Sequence, residues 1–478
     1  MSKLSANFLL AGASVLLVAV SLYFAFFLPG YFTDLQLLGG VFFLEVMLAV
    51  AWRFERRFFP VLLIVFLAAG TDVPWSATWT SVRWAVLAFG SIVGMAIYLR
   101  NSQCSFGIFH LTAFFCCLAA FVSALVSNSP EASVGKAASL LLLFLFGTGG
   151  ARLAIRNPRF ARGLLNGCEG MVYFTVLSYG VFDVEFFGNS NSLGAVMGIG
   201  CMPLLLWGSI VEETRTLRIR RTLAFLLAML LCLDSYSRAS ISAGLIACAF
   251  LCVGFRRYSL LIKGLAIAGV AAVLVMTFRP LESATKADTL VSAFVYKGHP
   301  DESVLASRKT PWDETISSIQ QSPWFGTGFG TSFVASQEKQ KVNALRSFTG
   351  ITREHGNSYL AITEWVGLLG IIPFIGLLLL VVRSVMLGFI TLRRLRYTNA
   401  LFTPLSAVLL AGMIGAFFED WMFAVGSYLC VFFWSLAFVL PDLLPAAEVA
   451  MTSIPGPLQP QPIASSWNPE LGIALPGR

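Results

Sequence analysis

Apolar runs of about 15 to 25 residues recur along almost the whole chain, and no other feature restricts its folding so strongly. Roughly 20 helical residues cross the hydrocarbon core of a bilayer, and backbone inside that core must pair its own N–H and C=O groups. Helices meet both demands. Only 12% of residues are charged and 57% are hydrophobic, against roughly 25% charge in soluble domains. The expected fold class is therefore an all-α polytopic membrane protein. About 14 transmembrane helices are expected, near 7–28, 35–52, 57–71, 81–99, 107–126, 137–155, 163–183, 191–211, 219–235, 239–255, 259–278, 358–382, 401–418 and 423–441. The expected organisation is helices 1 to 11 within 1–278, an outer loop at 279–357 carrying short surface helices, helices 12 to 14 within 358–441, and a tail at 442–478.

Lys and Arg in short loops mark the cytoplasmic side of such a chain. With the N-terminus inside, Lys3, Arg53, Arg56, Arg57, Arg100, Arg152, Arg156, Arg159, Arg162, Arg215, Arg218, Arg220, Arg221, Arg256, Arg257, Lys263, Arg393, Arg394 and Arg396 face the cytoplasm. The short outer loops hold only Arg83, Lys136 and Arg238. Both termini are expected to be cytoplasmic and the 279–357 loop periplasmic. The net charge of +8 is this topology signal and calls for no nucleic-acid partner. The first apolar run is longer than a signal-peptide core and is expected to stay as a helix.

The nine cysteines lie in or beside apolar spans and the long outer loop has none, so that loop is not a disulfide scaffold. Cys248 and Cys252 share a helix face, but with no histidine nearby they read as packing residues rather than metal ligands. The sequence contains no nucleotide loop, metalloprotease motif or nucleophile elbow. Beyond Pro441 the tail is rich in proline and polar residues, consistent with a disordered end.

The outer loop carries the candidate chemistry. Thr310-Pro311-Trp312-Asp313 reads as a helix start, with Trp312, Ile316 and Ile319 on one face of a surface helix that Ser322-Pro323 stops. Gly326-Thr327-Gly328-Phe329-Gly330 is either a sharp turn or a close approach of backbone to a ligand. Arg308, Arg346 and Arg353 lie in the loop, and Arg238 sits in a tight outer connection. Such arginines either snorkel to headgroups or bind a diphosphate bidentately. His355 precedes the twelfth apolar run, where the helix dipole favours an anion and keeps an imidazole neutral, fit to act as a base.

Ser307-Arg308 with Trp312, then Ser322-Pro323-Trp324-Phe325-Gly326-Thr327-Gly328, then His355-Gly356-Asn357-Ser358-Tyr359-Leu360 with Glu364, Gly367 and Gly370, resembles the signature of bacterial O-antigen ligases and the related O-antigen and exopolysaccharide polymerases. Ser237-Arg238-Ala239 resembles the arginine turn ahead of it, and Asn189 to Pro203 the family's Asn-containing helix. The resemblance covers roughly 180–375. It implies a glycosyltransferase of the bacterial inner membrane, without metal or other cofactor. The implied donor is a glycan on undecaprenyl diphosphate and the acceptor a sugar hydroxyl on lipid A core or another glycan. The lipid bilayer and polysaccharide-export proteins are the implied further partners. By matched position Arg238 and Arg308 would hold the diphosphate and His355 would activate the acceptor. Trp312, Gly326, Gly328, Arg353, Asn357 and Glu364 would line the substrate site. Gly356 intervenes between His355 and Asn357 where many relatives have His-Asn, and Glu364 stands three rather than two residues before Gly367.

Two other classes compete. A transporter needs ionisable residues near the bilayer midplane, and Glu45, His110, Glu169, Glu364 and Glu419 are sparse candidates. A metal-dependent oligosaccharyltransferase needs outer acids, for which Asp183-Val184-Glu185 offers one pair. Ligase and polymerase share a donor and differ in acceptor, so the sequence leaves that choice open.

Overall fold

The computed structural model describes residues 3–27, 35–71, 76–100, 105–181, 186–187, 189–264, 306–332, 355–395 and 400–452. Helices and their connections make up all of these residues. The helices are α1 (Lys3–Phe27), α2 (Leu35–Ala51), α3 (Phe54–Ala69), α4 (Ser76–Leu99) and α5 (Ile108–Leu125). Next come α6 (Pro130–Ile155), α7 (Phe160–Val181), α8 (Ser190–Val211), α9 (Arg215–Asp234) and α10 (Arg238–Gly254). The last are α11 (Ala306–Gln321), α12 (Ser358–Leu395), α13 (Phe402–Gly415) and α14 (Tyr428–Thr452).

The expectation of about fourteen spans is overturned. Among the described residues five helices are long and apolar enough to cross a membrane: Thr78–Leu99, Ile108–Leu125, Pro130–Ile155, Ser190–Val211 and Ser358–Arg394. Four shorter apolar helices accompany them, at Gly39–Ala51, Arg238–Gly254, Phe402–Gly415 and Tyr428–Leu444. The apolar runs do become helices, but helix formation and membrane crossing are separate demands. Helix α3 begins with Glu55, Arg56 and Arg57, α7 carries Arg162 and Glu169, and α9 opens with Arg215, Arg218, Arg220 and Arg221. Each charge inside a span costs several kcal/mol (~2.5–3.5) at the helix centre. Much of the run expected at 259–278 lies outside the described residues, as does the Asp183-Val184-Glu185 pair.

Two features shape the bundle. First, α6 and α8 each contain a π-turn, at Gly147–Ala151 and Val196–Cys201, where glycines bring backbones together. Gly149 and Gly150 sit against Gly94 of α4, and Gly198 sits against Ser240 and Gly244 of α10. Small residues at such crossings substitute for the missing hydrophobic driving force inside lipid. Second, α14 starts at Tyr428 rather than near 423, and continues past Pro441 to Thr452. The connection 416–427 between α13 and α14 is therefore a folded loop. Its Trp421, Met422, Phe423 and Val425 are buried in the main core with Phe374, Phe433 and Trp434.

Helix α12 lies along α5 and α13, with α11 packed across it. It is not continuous: Gly367 has φ 70° and ψ 179°, which breaks the helix ten residues from its start at Ser358. That break builds the wall of the site.

Candidate functional site

A broken helix leaves carbonyls without partners on one side and N–H groups on the other, and within a bundle each must be paired. The segment after α11 supplies the partners. Thr327 and Gly328 donate their N–H groups to the carbonyls of Glu364 and Trp365, at 2.9 and 3.2 Å. Leu368 and Leu369, beyond the break, donate to the carbonyls of Pro323 and Trp324, at 2.7 and 3.2 Å. The two backbones interlock so tightly that a Cβ on Gly367 would lie 2.4 Å from the Trp324 oxygen, and one on Gly326 2.5 Å from the Glu364 oxygen. The glycine-rich stretch is thus a strap sewn into α12. The N–H groups of Thr327 and Gly328 are committed to protein carbonyls.

The strap is held from its other side by the α5–α6 turn and the first turns of α6. Ser133 donates to the Phe329 carbonyl at 3.0 Å, Lys136 donates to the Gly330 carbonyl, and Ser127 meets Thr331 at 3.1 Å. Its last described residue, Ser332, reaches His355 with Oγ 3.3 Å from Nε2.

His355 is 0% exposed and stands between two carboxylates. Glu364 Oε2 lies 3.2 Å from Nε2, and Asp420 Oδ2 lies 3.3 Å from Nδ1. Asp420 Oδ2 also accepts the His355 backbone N–H at 3.0 Å. The ring stands edge-on to Trp365, with centroids 5.4 Å apart. Burial alone pulls the imidazole down, but its hydrogen bonds to Asp420 and Glu364 outweigh burial and hold His355 above the usual histidine range. Asp420 shows the counterpart: burial pushes it up, and hydrogen bonds from the His355 ring and N–H hold it below the usual carboxylate range.

The expectation that a helix mouth keeps His355 neutral therefore fails for a physical reason. The first N–H groups of α12 are already paired: Ser358 N–H with the Ala416 carbonyl, Tyr359 and Leu360 N–H with the Asn357 side chain, and Ala361 N–H with the Asn357 carbonyl. With the dipole capped by protein, the two carboxylates set the charge preference. They sit on opposite ring nitrogens and cannot converge on one ion with the imidazole. Among the described residues no group of three His, Cys, Asp or Glu side chains is arranged to hold a metal.

Arg308 and Trp312 come to the site on α11. The helix begins at Ala306 and runs through Pro311, so Thr310 is not its cap. Its buried face is Thr315 and Ser318, with Trp312 and Ile319 half-buried and Ile316 exposed, a rotation away from the expected apolar face. Arg308 Nη2 pairs with Glu419 Oε1 at 2.7 Å, and the Trp312 indole donates to the Gly356 carbonyl at 3.2 Å. Gly356 has φ 62°, and a Cβ there would meet Arg308 Nη1 at 3.0 Å. Gly356 thus leaves room for the guanidinium.

Of the residues singled out from sequence, His355, Glu364, Arg308, Trp312 and Asn357 meet around the start of α12, with Gly326 and Gly328 in the strap beside them. Asn357 acts there as the α12 cap. Arg238 opens α10 behind the turn Ser235–Ser237, which packs on Gly194 of α8. Asn189 caps α8, its side chain accepting the Asn191 N–H at 2.8 Å. Arg353 lies outside the described residues. The residues that sequence reading missed are Ser332 and Asp420. Glu419 stands in the sequence only as one of the sparse ionisable residues weighed for transport. The available signal was two consecutive acids, Glu419-Asp420, directly after an apolar run.

A multi-span helical membrane protein with a charged site at one end of its bundle is the class that fold and site define. Residues 223–375 match the family model described as O-antigen ligase. The match covers about a third of the chain and supports a membrane glycosyltransferase of the ligase or polymerase type in general. No curated relative matches the chain. The matched region holds Arg238, Arg308, the strap, His355 and Glu364; Glu419 and Asp420 lie beyond it.

Proposed function

We propose that this protein transfers a glycan from undecaprenyl diphosphate to a sugar hydroxyl, as an O-antigen ligase, at the outer face of the cytoplasmic membrane. The observation that carries the proposal is His355, held between Asp420 and Glu364 with Arg308 beside it, inside the region matching the ligase family. In this mechanism the neutral imidazole keeps its proton on Nδ1, facing Asp420. The acceptor hydroxyl takes the place of Ser332 Oγ at Nε2. As the acceptor oxygen bonds to the anomeric carbon of the donor, its proton passes to Nε2 and the bond from that carbon to the diphosphate oxygen breaks. The two carboxylates stabilise the imidazolium that forms.

The diphosphate leaves as an anion already low in basicity, so the step asks for charge stabilisation and positioning, which arginines supply without a metal. Arg308 does this after exchanging Glu419 for diphosphate, and Arg238 is proposed as the second cation. The Lys and Arg distribution supports a cytoplasmic location for the termini and a periplasmic one for the 279–357 segment, which would put the site on the donor's side.

The test is a reconstitution in lipid with an undecaprenyl-diphosphate-linked glycan, with and without lipid A core, read on a gel. Transfer to lipid A core that is lost in His355→Ala while donor binding persists is the expected result. A ladder of longer donor chains instead would make the enzyme a polymerase with the same machinery. Bound donor with no product under any acceptor would overturn the proposal.

A further inference from the structure

At the far end of the bundle from His355 lies a second candidate site. Helices α3, α7 and α14 and the π-turn of α8 enclose a groove of about 280 Å³. Its long axis follows α3. One end is the start of that helix, at Arg56, opposite Arg159 at the start of α7. The other end is Leu67 and Tyr428, where Gly70 packs on the Tyr428 ring and the Tyr428 hydroxyl donates to the Ser192 carbonyl. Tyr428 closes the same loop that brings Asp420 to His355, so the arginine end points away from the candidate active site.

The walls between the two ends are apolar, and two glycines of α7, Gly163 and Gly167, line them. A Cβ at either would meet nothing within 4 Å, so the space they leave is open groove and not helix contact. From Arg56 to Leu67 the helix rises about 17 Å, at 1.5 Å per residue. One leaflet of a bilayer core of about 30 Å is about 15 Å deep. The groove is therefore about as long as one leaflet is deep, although neither α3 nor α7 is among the five helices long and apolar enough to cross a membrane.

Charge at the mouth selects the headgroup. Arg56 near the start of α3 and Arg159 just before α7 line the mouth and are exposed, and Glu55 is the acid among the lining residues. We propose that the groove binds an anionic glycerophospholipid of the leaflet opposite His355, with an acyl chain along α3 and its phosphate between Arg56 and Arg159. A basic rim attracts anionic lipid at roughly 1 kcal/mol for each arginine near the surface. A diphosphate held at Arg308 sits at the opposite end of the bundle, so the groove serves a lipid other than the glycan donor.

Purified, delipidated protein is titrated with phosphatidylglycerol or phosphatidylcholine and bound lipid is counted by native mass spectrometry. Phosphatidylglycerol should be preferred, and Arg56→Gln and Arg159→Gln should each weaken it by about fivefold, with a smaller loss for phosphatidylcholine, whose phosphate is offset by its choline. Gly167→Leu should remove both lipids while the lipid-free melting temperature stays unchanged, because the new side chain fills groove and not a helix contact. Equal retention of the two lipids, or wild-type binding by Gly167→Leu, would overturn the proposal. Displacement of phosphatidylglycerol by undecaprenyl phosphate at equal concentration would also overturn it, since the groove would then belong to a prenyl lipid.

Discussion

Replacing Asp420 by Asn tests the proposed base most directly, because it removes a charge and almost nothing else. The amide keeps an oxygen that can accept the His355 backbone N–H, now made at 3.0 Å, so the loop need not move. What is lost is the carboxylate facing Nδ1 at 3.3 Å. A hydrogen bond to a charged group is worth about 1.5–3 kcal/mol net. Asp420 is 31% exposed, so screening places its effect near the lower bound. About 1.5 kcal/mol of lost stabilisation of the imidazolium slows transfer on the order of tenfold. The pH profile carries the sharper signature. His355 acts as a base only when neutral, and both carboxylates hold its proton more tightly, so kcat/KM should rise with pH through a midpoint above the ordinary histidine value. In Asp420→Asn that midpoint should move toward acid while the high-pH plateau falls. The assay is initial transfer rate against pH in reconstituted vesicles, with His355→Ala and the double variant alongside. His355→Ala should cost about 10²–10⁴-fold, and adding Asp420→Asn to it should cost nothing more. A fall in rate with an unmoved midpoint, or a further loss in the double variant, would refute a role for Asp420 through the imidazole.

Glu419→Gln should weaken the hold on Arg308 and lower the KM for donor, whereas Arg308→Lys should raise it because an ammonium lacks the planar fork; equal KM values in all three proteins would remove Arg308 from the donor site. Gly367→Ala should lower the melting temperature by an amount equivalent to at least about 2 kcal/mol, since the backbone conformation is open only to glycine and the strap blocks a Cβ. Gly376→Ala in the same helix, whose Cβ would meet only Thr112 at 3.5 Å, should be neutral or stabilising. His355 also links stability to pH. Its folded-state pKa is raised, so its contribution is fully present below the unfolded value near 6.5 and is lost as pH rises through the folded value. Thermal unfolding should thus show a decline over that window in wild type that is missing from His355→Ala.

How much of this was legible in the sequence depends on the range of the interaction involved. Local information was read well: the apolar run expected at 107–126 is the helix Ile108–Leu125. Spanning was misread because hydropathy over a window does not register where charges fall within it. Four arginines at the start of α9 leave it helical while disqualifying it as an apolar span. The short-range reading of His355 went wrong differently. A helix mouth predicts a neutral imidazole, but Asp420 stands 65 residues away in sequence, and only the fold of the 416–427 loop brings its charge to Nδ1. The glycine-rich strap was ambiguous for the same reason. Three glycines at alternate positions announce a tight backbone path, while the partner that makes it tight is a break in a helix about forty residues later.

The placement of Glu419 and Asp420 has a wider consequence for how the site is organised. Consecutive residues on one loop hold the two positive groups of the site, Arg308 through Glu419 and His355 through Asp420. That loop is fixed to α12 independently: Ser358 Oγ donates to the Glu419 carbonyl at 2.6 Å and accepts the Met422 N–H at 3.1 Å. Trp434 anchors it again by donating to the Met422 carbonyl at 2.7 Å. A displacement of Arg308 from Glu419, as diphosphate binding would bring about, therefore acts on a loop that also sets the charge preference of His355. The two adjacent acids lie outside residues 223–375, so Arg308 and His355, inside the matched region, take their carboxylate partners Glu419 and Asp420 from the connection between the C-terminal helices.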